Sequence, residues 1–205
     1  MCMIDRVDAV ARAQRAWQKV TRGLCVLLAM GASGGALGAE GFAKTPQEEA
    51  MCNAAIYRGR DTSDRNNWQH MHHYCDCLRF ARRAMTQPAA SSARSHNISR
   101  ALDGCDYVLD HTSSGFYMQP AVRASRAYVL MLDKRYRDAV AEYERALRQD
   151  PNYLKAYMGL FDAWSAAGDL QSARKAAERG LAISPNSKAL QRRLRKVTQE
   201  GEADG

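Results

Sequence analysis

The sequence lacks the short motifs that most often mark a catalytic or metal-binding site. It has no HExxH or CxxC spacing, no Ser/His/Asp order and no paired-carboxylate frame. Its glycine-rich stretch, GASGGALG, lies in an apolar segment near the N-terminus, and no uncharged run reaches the roughly 20 apolar residues of a membrane-spanning helix. These absences argue against an enzyme, and we expect no catalysis, no cofactor and no bound metal.

The composition is that of an ordinary folded protein. Of 205 residues, 46% are hydrophobic, 25% charged and 8% aromatic, which excludes collagen-like, fully disordered and polytopic membrane proteins. The net charge is +8, but residues 1–39 hold five of the 30 basic and two of the 22 acidic side chains, so 25 basic against 20 acidic ones remain. Because no basic motif is interleaved with aromatic residues, we expect no nucleic-acid partner.

The N-terminus has the three parts of a secretory signal peptide. Arg15, Lys19 and Arg22 precede an uncharged segment, 23–39, which ends in small residues. We therefore expect residues 1–39 to be a cleaved signal, and the mature protein to be periplasmic or secreted without a stable membrane span. An uncleaved signal that anchors the protein in the inner membrane is the alternative.

Four cysteines follow the signal, and an even number in an exported chain favours disulfide bonds. Cys75 and Cys77 lie about 200° apart on a helix predicted over 66–85, so they cannot bond each other. The next helix is predicted over 96–111, after a loop at 86–95.

Helix-hairpin geometry ranks the possible pairings of these cysteines. Cys77 and Cys105 lie at similar distances from the loop, and so face each other in an antiparallel hairpin. We predict a Cys77–Cys105 bond, and a second bond between Cys75 and Cys52, which lies on a short helix predicted over 45–58.

A repeat with a period of 34 residues fills the second half of the chain. The segments 136–151 and 170–185 share Ala, Glu, Arg, Leu and Pro at equivalent positions, and helical segments precede both. The pattern resembles the tetratricopeptide repeat. The second repeat supplies Tyr157, Leu160, Trp164, Gly168, Ala173, Ala177 and Pro185 at signature positions, and the first supplies Ala127, Leu130, Ala139, Tyr143, Ala146 and Pro151. The first repeat departs from the pattern at Arg123 and Arg126, where an aromatic and an aliphatic residue are usual.

The resemblance implies an all-α solenoid of about three helical hairpins with a C-terminal capping helix, after a cleaved signal peptide. With the export signal, the chain is similar to small periplasmic tetratricopeptide proteins of Gram-negative bacteria. The expected organisation is a cysteine-containing helical segment with a diverged hairpin (40–117), two repeats and a capping helix (118–199), and a disordered tail (200–205). The repeats are 120–153 and 154–187.

In tetratricopeptide stacks, the first helix of each pair lines a concave groove that binds a peptide or helix. The resemblance therefore implies a scaffold or assembly factor in the bacterial envelope, with a protein or peptide partner. Because cations predominate among the groove positions, an acidic segment or a free carboxylate terminus is favoured, although solvated helix faces are the alternative. The implied groove residues are Arg79, Arg82, Tyr128, Met131, Lys155, Met158, Asp162 and Arg192, with Arg83 and Lys196 adding charge.

A second hypothesis concerns the segment HMHHYCDC. His70, His73 and Cys77 share one helical stripe, and imidazole with thiolate suits zinc or copper. A metal-binding or thiol-active envelope protein is therefore the alternative function. Against it, a disulfide at Cys77 removes the thiolate, and the histidines then pack beside that bond.

Overall fold

The computed structural model describes residues 44–56 and 63–203, and this part of the chain contains helices and no strands. The predicted signal peptide, 1–39, lies outside the described residues. The helices are α1 (Pro46–Ile56), α2 (Arg65–Trp68), α3 (His72–Thr86), α4 (Ser92–His111), α5 (Gln119–Leu132), α6 (Tyr136–Gln149), α7 (Leu154–Ala166), α8 (Leu170–Ile183) and α9 (Lys188–Ala203).

The longer helices form a stack of three hairpins. Short loops join α3 to α4, α5 to α6 and α7 to α8, so each pair packs antiparallel. The first helices of the pairs also contact one another in a row, α3 with α5 and α5 with α7, while α9 covers α8 at one end. The predicted all-α solenoid of three hairpins with a capping helix is confirmed.

The turns inside the two repeats share one backbone conformation. Gly168 joins α7 to α8 with φ of 84°, and Lys134, 34 residues earlier, joins α5 to α6 with φ of 61°. Glycine adopts positive φ without strain, whereas a residue with a Cβ does so at a cost. Close packing within the hairpins relies on small residues, because Ala139 and Ala173 are fully buried.

The core consists of two clusters. The first lies around α1 to α4 and includes the four cysteines, Trp68, Met71 and Phe80. The second lies between α5 and α9 and is built from aliphatic and aromatic side chains, with many alanines between them.

Three helix boundaries differ from the prediction. The single helix expected over 66–85 is broken at 69–71, because Trp68 and Met71 both turn into the core and Asp64 caps the short α2. The loop expected over 86–95 is shorter, since Ser91 caps α4 by accepting a hydrogen bond from the backbone N–H of Arg94. Residues 200–203, assigned to a disordered tail, continue α9.

Candidate functional site

A groove of about 760 Å³ opens on the row of first helices. The side chains that line it come from α1, α3, α5 and α6, and from the start of α7. Of the described residues, those lining it are Met51, Ala55, Tyr74, Leu78, Ala81, Arg82, Met85, Thr86, Ala124, Ser125, Tyr128, Tyr143, Tyr153 and Lys155.

Large apolar side chains in this groove remain open to solvent. Met85 is 54% exposed and Tyr128 is 39% exposed, although a core would bury side chains of this size. Leu78 lies on the same helix as Met85 and also lines the groove. A concave apolar surface of this kind is typical of a binding site.

Two tyrosine hydroxyls in the groove, those of Tyr128 and Tyr153, are accessible and unpaired among the described residues, and that of the buried Tyr143 lies beneath them. Tyr128, Tyr143 and Tyr153 have no hydrogen-bond partner for their hydroxyls among the described residues, whereas the Tyr74 hydroxyl contacts Ser125 Oγ at 2.9 Å. Burial raises the pKa of all four, that of Tyr74 to about 12, so each stays a neutral hydroxyl.

The ring of Tyr143 occupies space that is free because Gly159 has no side chain. Tyr143 is 4% exposed, and its ring lies against Gly159 of α7. A Cβ at Gly159 would come within 2.2 Å of that ring, so the glycine leaves the space that the tyrosine fills.

The charges that line the groove are of one sign. Arg82 of α3 and Lys155 of α7 are both exposed, and no carboxylate lies among the described lining residues. The two cations stand on different helices of the row and border the apolar surface. This arrangement favours a ligand that combines an apolar side chain with an anionic group.

Three of the predicted groove residues, Arg82, Tyr128 and Lys155, line this groove. Arg79 does not line it. Its side chain is buried, donates to Asp76 Oδ1 at 2.9 Å and lies 4.4 Å from the centre of the Phe80 ring. One turn of α3 separates it from the exposed Arg82.

The other predicted residues lie outside the lining for different reasons. Met131 and Met158 are half-buried against the core of the repeats. Asp162 accepts from Arg193 of α9 at 2.7 Å, and the neighbouring Arg192 is exposed without lining the groove. A shift of one residue on a helix is a rotation of about 100°, which explains why Arg193 rather than Arg192 reaches α7.

Two parts of the groove were not predicted from the sequence, the side formed by α1 and Tyr153. Met51 and Ala55 lie one turn apart on α1 and flank Cys52, which bonds Cys75 on α3. The predicted Cys52–Cys75 pairing was the signal that could have placed α1 beside α3. Tyr153 lies in the connection between α6 and α7, where helix phase predicts nothing about its direction.

The structure contains the two disulfides predicted from helix phase, Cys52–Cys75 and Cys77–Cys105. The sulfur of Cys77 is therefore bonded to another cysteine and is not a thiolate. Among the described residues, no three His, Cys, Asp or Glu side chains are placed to hold a metal ion.

The histidines of the predicted stripe belong instead to an aromatic stack. His73 lies 3.8 Å from the centre of the Tyr107 ring, and His111 stacks on the same ring at 3.9 Å. His70 lies 5.4 Å from His111. Burial, then the neighbouring His72, lowers the pKa of His73, although Asp76 opposes this. At His73 the stack favours a neutral imidazole that packs against Tyr107.

Residues 130–196 match the family model of the tetratricopeptide repeat. The Hsp70-Hsp90 organizing protein of Triticum aestivum is 34% identical over 83 residues, which make up 39% of this chain and 14% of the length of that protein. The family-model match, over residues 130–196, covers most of the two predicted repeats and of the capping helix. Together with the helix order, it supports a tetratricopeptide-like solenoid.

The solved structures that are similar to the chain include two tetratricopeptide domains. The first TPR of Spaghetti (RPAP3), bound to the HSP90 peptide SRMEEVD, is 22% identical to this chain with a TM-score of 0.46. The similarity covers 61% of this chain and 92% of that domain's chain. The Sgt2 TPR domain from Aspergillus fumigatus is 21% identical with a TM-score of 0.47 and covers 80% and 85%. The resemblance to exported bacterial proteins stays a prediction.

None of the described helices combines the length and the apolar character that crossing a membrane requires.

Proposed function

We propose that the chain is a non-catalytic binding scaffold whose groove takes an extended peptide with a bulky apolar side chain and a nearby carboxylate. The observation that carries this proposal is the groove lining, which combines exposed apolar side chains with two cations and, among the described residues, no acid.

Each component of the groove has a counterpart in such a peptide. Met85, Leu78 and Tyr128 would contact the apolar side chain, which loses its hydration on binding. Arg82 and Lys155 would donate charge-assisted hydrogen bonds to carboxylates. The open tyrosine hydroxyls would serve the peptide backbone, whose polar groups must find partners when they leave water.

The relatives give a suitable peptide for the test. One similar structure was solved with the HSP90 peptide SRMEEVD, which contains Met and Val beside acidic residues and, as a free peptide, ends in a carboxylate. A fluorescein-labelled SRMEEVD, compared with an uncharged SRMQQVN amide, measures by fluorescence anisotropy how much of the affinity depends on negative charge.

We expect the acidic peptide to bind the oxidised protein at least about tenfold more tightly than the uncharged one, since one charge-assisted hydrogen bond is worth about 1.5 kcal/mol. Arg82→Glu and Lys155→Glu should each weaken binding by a similar factor. The matched controls Arg148→Glu and Lys175→Glu change exposed cations outside the groove and should leave affinity unchanged. Equal affinity for both peptides, or no effect of the groove variants, would contradict the proposal.

We also propose that the protein is exported and acts in the periplasm. The basic, apolar and small-residue parts of segment 1–39 support export, and two disulfides persist most readily in an oxidising compartment. Intact mass of the protein from its native host is the test. A mass that begins near residue 40, with four alkyl groups added only after reduction, is expected. A mass that retains the N-terminus with free thiols would count against export.

A further inference from the structure

The side of the groove formed by α1 depends on a small number of attachments. Met51 and Ala55 line the groove from α1, and Cys52 between them bonds Cys75 of α3. The disulfide is therefore next in the chain to a residue that lines the groove, although neither cysteine lines the groove itself.

Among the residues that the structure describes, few other contacts hold α1 in place. It has 11 residues, packs mainly against α3, and buries only Glu48, Cys52 and Ile56. A free helix of this length is marginal in water, so α1 stays helical because it is docked. Apart from the disulfide, its main attachment is Arg83 of α3, which donates to both carboxylate oxygens of Glu48 at 2.6 and 2.7 Å.

The second disulfide is placed differently. Cys77–Cys105 joins α3 to α4, and these helices pack along their lengths. Their backbones approach so closely that a Cβ on Gly104 would lie 2.7 Å from the backbone nitrogen of Cys77. Breaking this bond would leave two helices that still share a large apolar contact.

We propose that Cys52–Cys75 is a redox-sensitive latch that holds α1 as one side of the peptide groove, an inference that rests on the proposed function. A dithiol reductant would give two electrons and two protons to this bond, become a disulfide itself, and leave Cys52 and Cys75 as thiols. With the bond broken, α1 undocks by local unfolding, and Met51 and Ala55 leave the groove.

The latch is linked to ligand binding in both directions. Cys52 and Cys75 are buried, so a reductant reaches them only when α1 opens locally. A peptide that contacts Met51 favours the docked state, and by linkage it slows reduction of this bond. The bond in turn raises the affinity for the peptide.

The test compares Cys52→Ser/Cys75→Ser with the matched variant Cys77→Ser/Cys105→Ser in the full chain. Hydrogen exchange of residues 46–56 reports whether α1 is docked, and anisotropy with labelled SRMEEVD reports binding. We expect the first variant to lose protection in α1 only and to bind at least about tenfold more weakly. We expect the second to keep α1 protected and to bind as the unmodified protein does.

Limited treatment of the unmodified protein with dithiothreitol, followed by alkylation and peptide mapping, should label Cys52 and Cys75 first, and saturating peptide should slow that labelling. Retained protection of α1 in Cys52→Ser/Cys75→Ser, or unchanged affinity in it, would overturn the latch. If the unmodified protein binds no peptide, the proposed function fails, and hydrogen exchange with the labelling order still decides whether the bond holds α1.

Discussion

The α3/α4 hairpin and the two repeats have the same architecture but are held together in different ways. In the hairpin, a disulfide and a close backbone contact at Gly104 join the helices. In the repeats, small residues allow close approach, and large side chains fill the remaining space. When residues 100–109 are overlaid on 138–147, Cys105 falls on Tyr143. A covalent bond thus stands where the repeat has an aromatic ring, so the hairpin can diverge in sequence while it keeps its place in the stack.

The largest expected effect comes from removing the bond that replaces packing in the hairpin. Cys77→Ser/Cys105→Ser should lower the free energy of unfolding by about 3 kcal/mol, because the bond closes a loop between residues 28 apart. Urea denaturation measures the loss, and hydrogen exchange locates it. Protection in α3 and α4 should fall more than protection in α5 to α8. An equal loss in all helices would show that the two regions unfold as one unit.

A glycine substitution tests the close contact without changing the disulfide. Gly104→Ala should cost about 2–3 kcal/mol, because the added Cβ meets the backbone atoms Cys77 N and His73 O, both at 2.7 Å. In the repeats, Gly180→Ala is the matched control. The three atoms nearest to its Cβ belong to side chains and not to backbone, with Leu190 Cδ1 at 2.7 Å and Tyr157 Cβ at 2.9 Å. A smaller cost of about 1 kcal/mol is therefore expected there, measured by the same urea titration. A Gly104→Ala cost no larger than this would contradict the close-contact interpretation.

The first repeat has a buried ionic attachment between its two helices. Glu142 of α6 is buried and pairs with Arg123, Arg126 and Arg145. Glu142→Gln should cost about 2 kcal/mol, since arginines that are partly buried lose their acidic partner.

The matched control for this carboxylate is Glu178→Gln, which changes an exposed pair with Arg174 and should cost less than about 0.5 kcal/mol. Thermal unfolding of both variants at two salt concentrations checks the result. Similar losses for the two variants would place Glu142 among ordinary surface pairs.

The turns at Lys134 and Gly168 allow a gain in stability. Lys134→Gly should raise the free energy of unfolding by about 0.5–1 kcal/mol, because it relieves the left-handed strain of a side-chain-bearing residue. Gly168→Ala should lower it by about 1 kcal/mol, although the new Cβ meets no atom within 4 Å. Paired thermal melts measure both changes. A loss from Lys134→Gly would mean that the lysine side chain contributes more than the backbone strain costs.

The smallest expected effect is a pH dependence in the hairpin. The pKa of His73 is lowered from 6.5 in the folded state, so folding favours the neutral ring. This contribution is complete above the unfolded pKa and is lost as the pH falls below about 6.5. His73→Phe keeps a ring against Tyr107 and should lose less stability between about pH 7.5 and 5.5. Thermal melts measure this loss, with the exposed His96→Phe as control. Equal acid sensitivity of all three proteins would contradict it.

The repeats were predictable because their signal is periodic. A spacing of 34 residues and the prolines after α6 and α8 can be read directly from the sequence. Helix phase excluded a Cys75–Cys77 bond, and the register of the helical hairpin then ranked the remaining pairings. Arg123 and Arg126 departed from the pattern for a reason that lies on another helix, since both pair with Glu142. The two arginines are therefore explained by their ion pairs with Glu142, which the repeat pattern does not show.

The groove was less predictable than the fold, because contacts between different helices decide which side chains reach it. Arg82, Tyr128 and Lys155 follow from the rule that first helices line the concave face. Arg79 departs from that rule, because its side chain is buried, lies over the ring of Phe80 and donates to Asp76. Met51 lies on a helix outside the repeat pattern, and the Cys52–Cys75 bond and the Arg83–Glu48 pair join that helix to α3.

The depth of the groove depends on Gly159, a glycine that does not itself line the groove. Tyr143 lies deep because Gly159 has no side chain to push it outward. A larger residue at this position would clash with the phenol ring of Tyr143, which would then have to move, although Gly159 itself does not line the groove. In a related sequence, the residue at this position is therefore expected to change the shape of the groove without any change in the residues that line it.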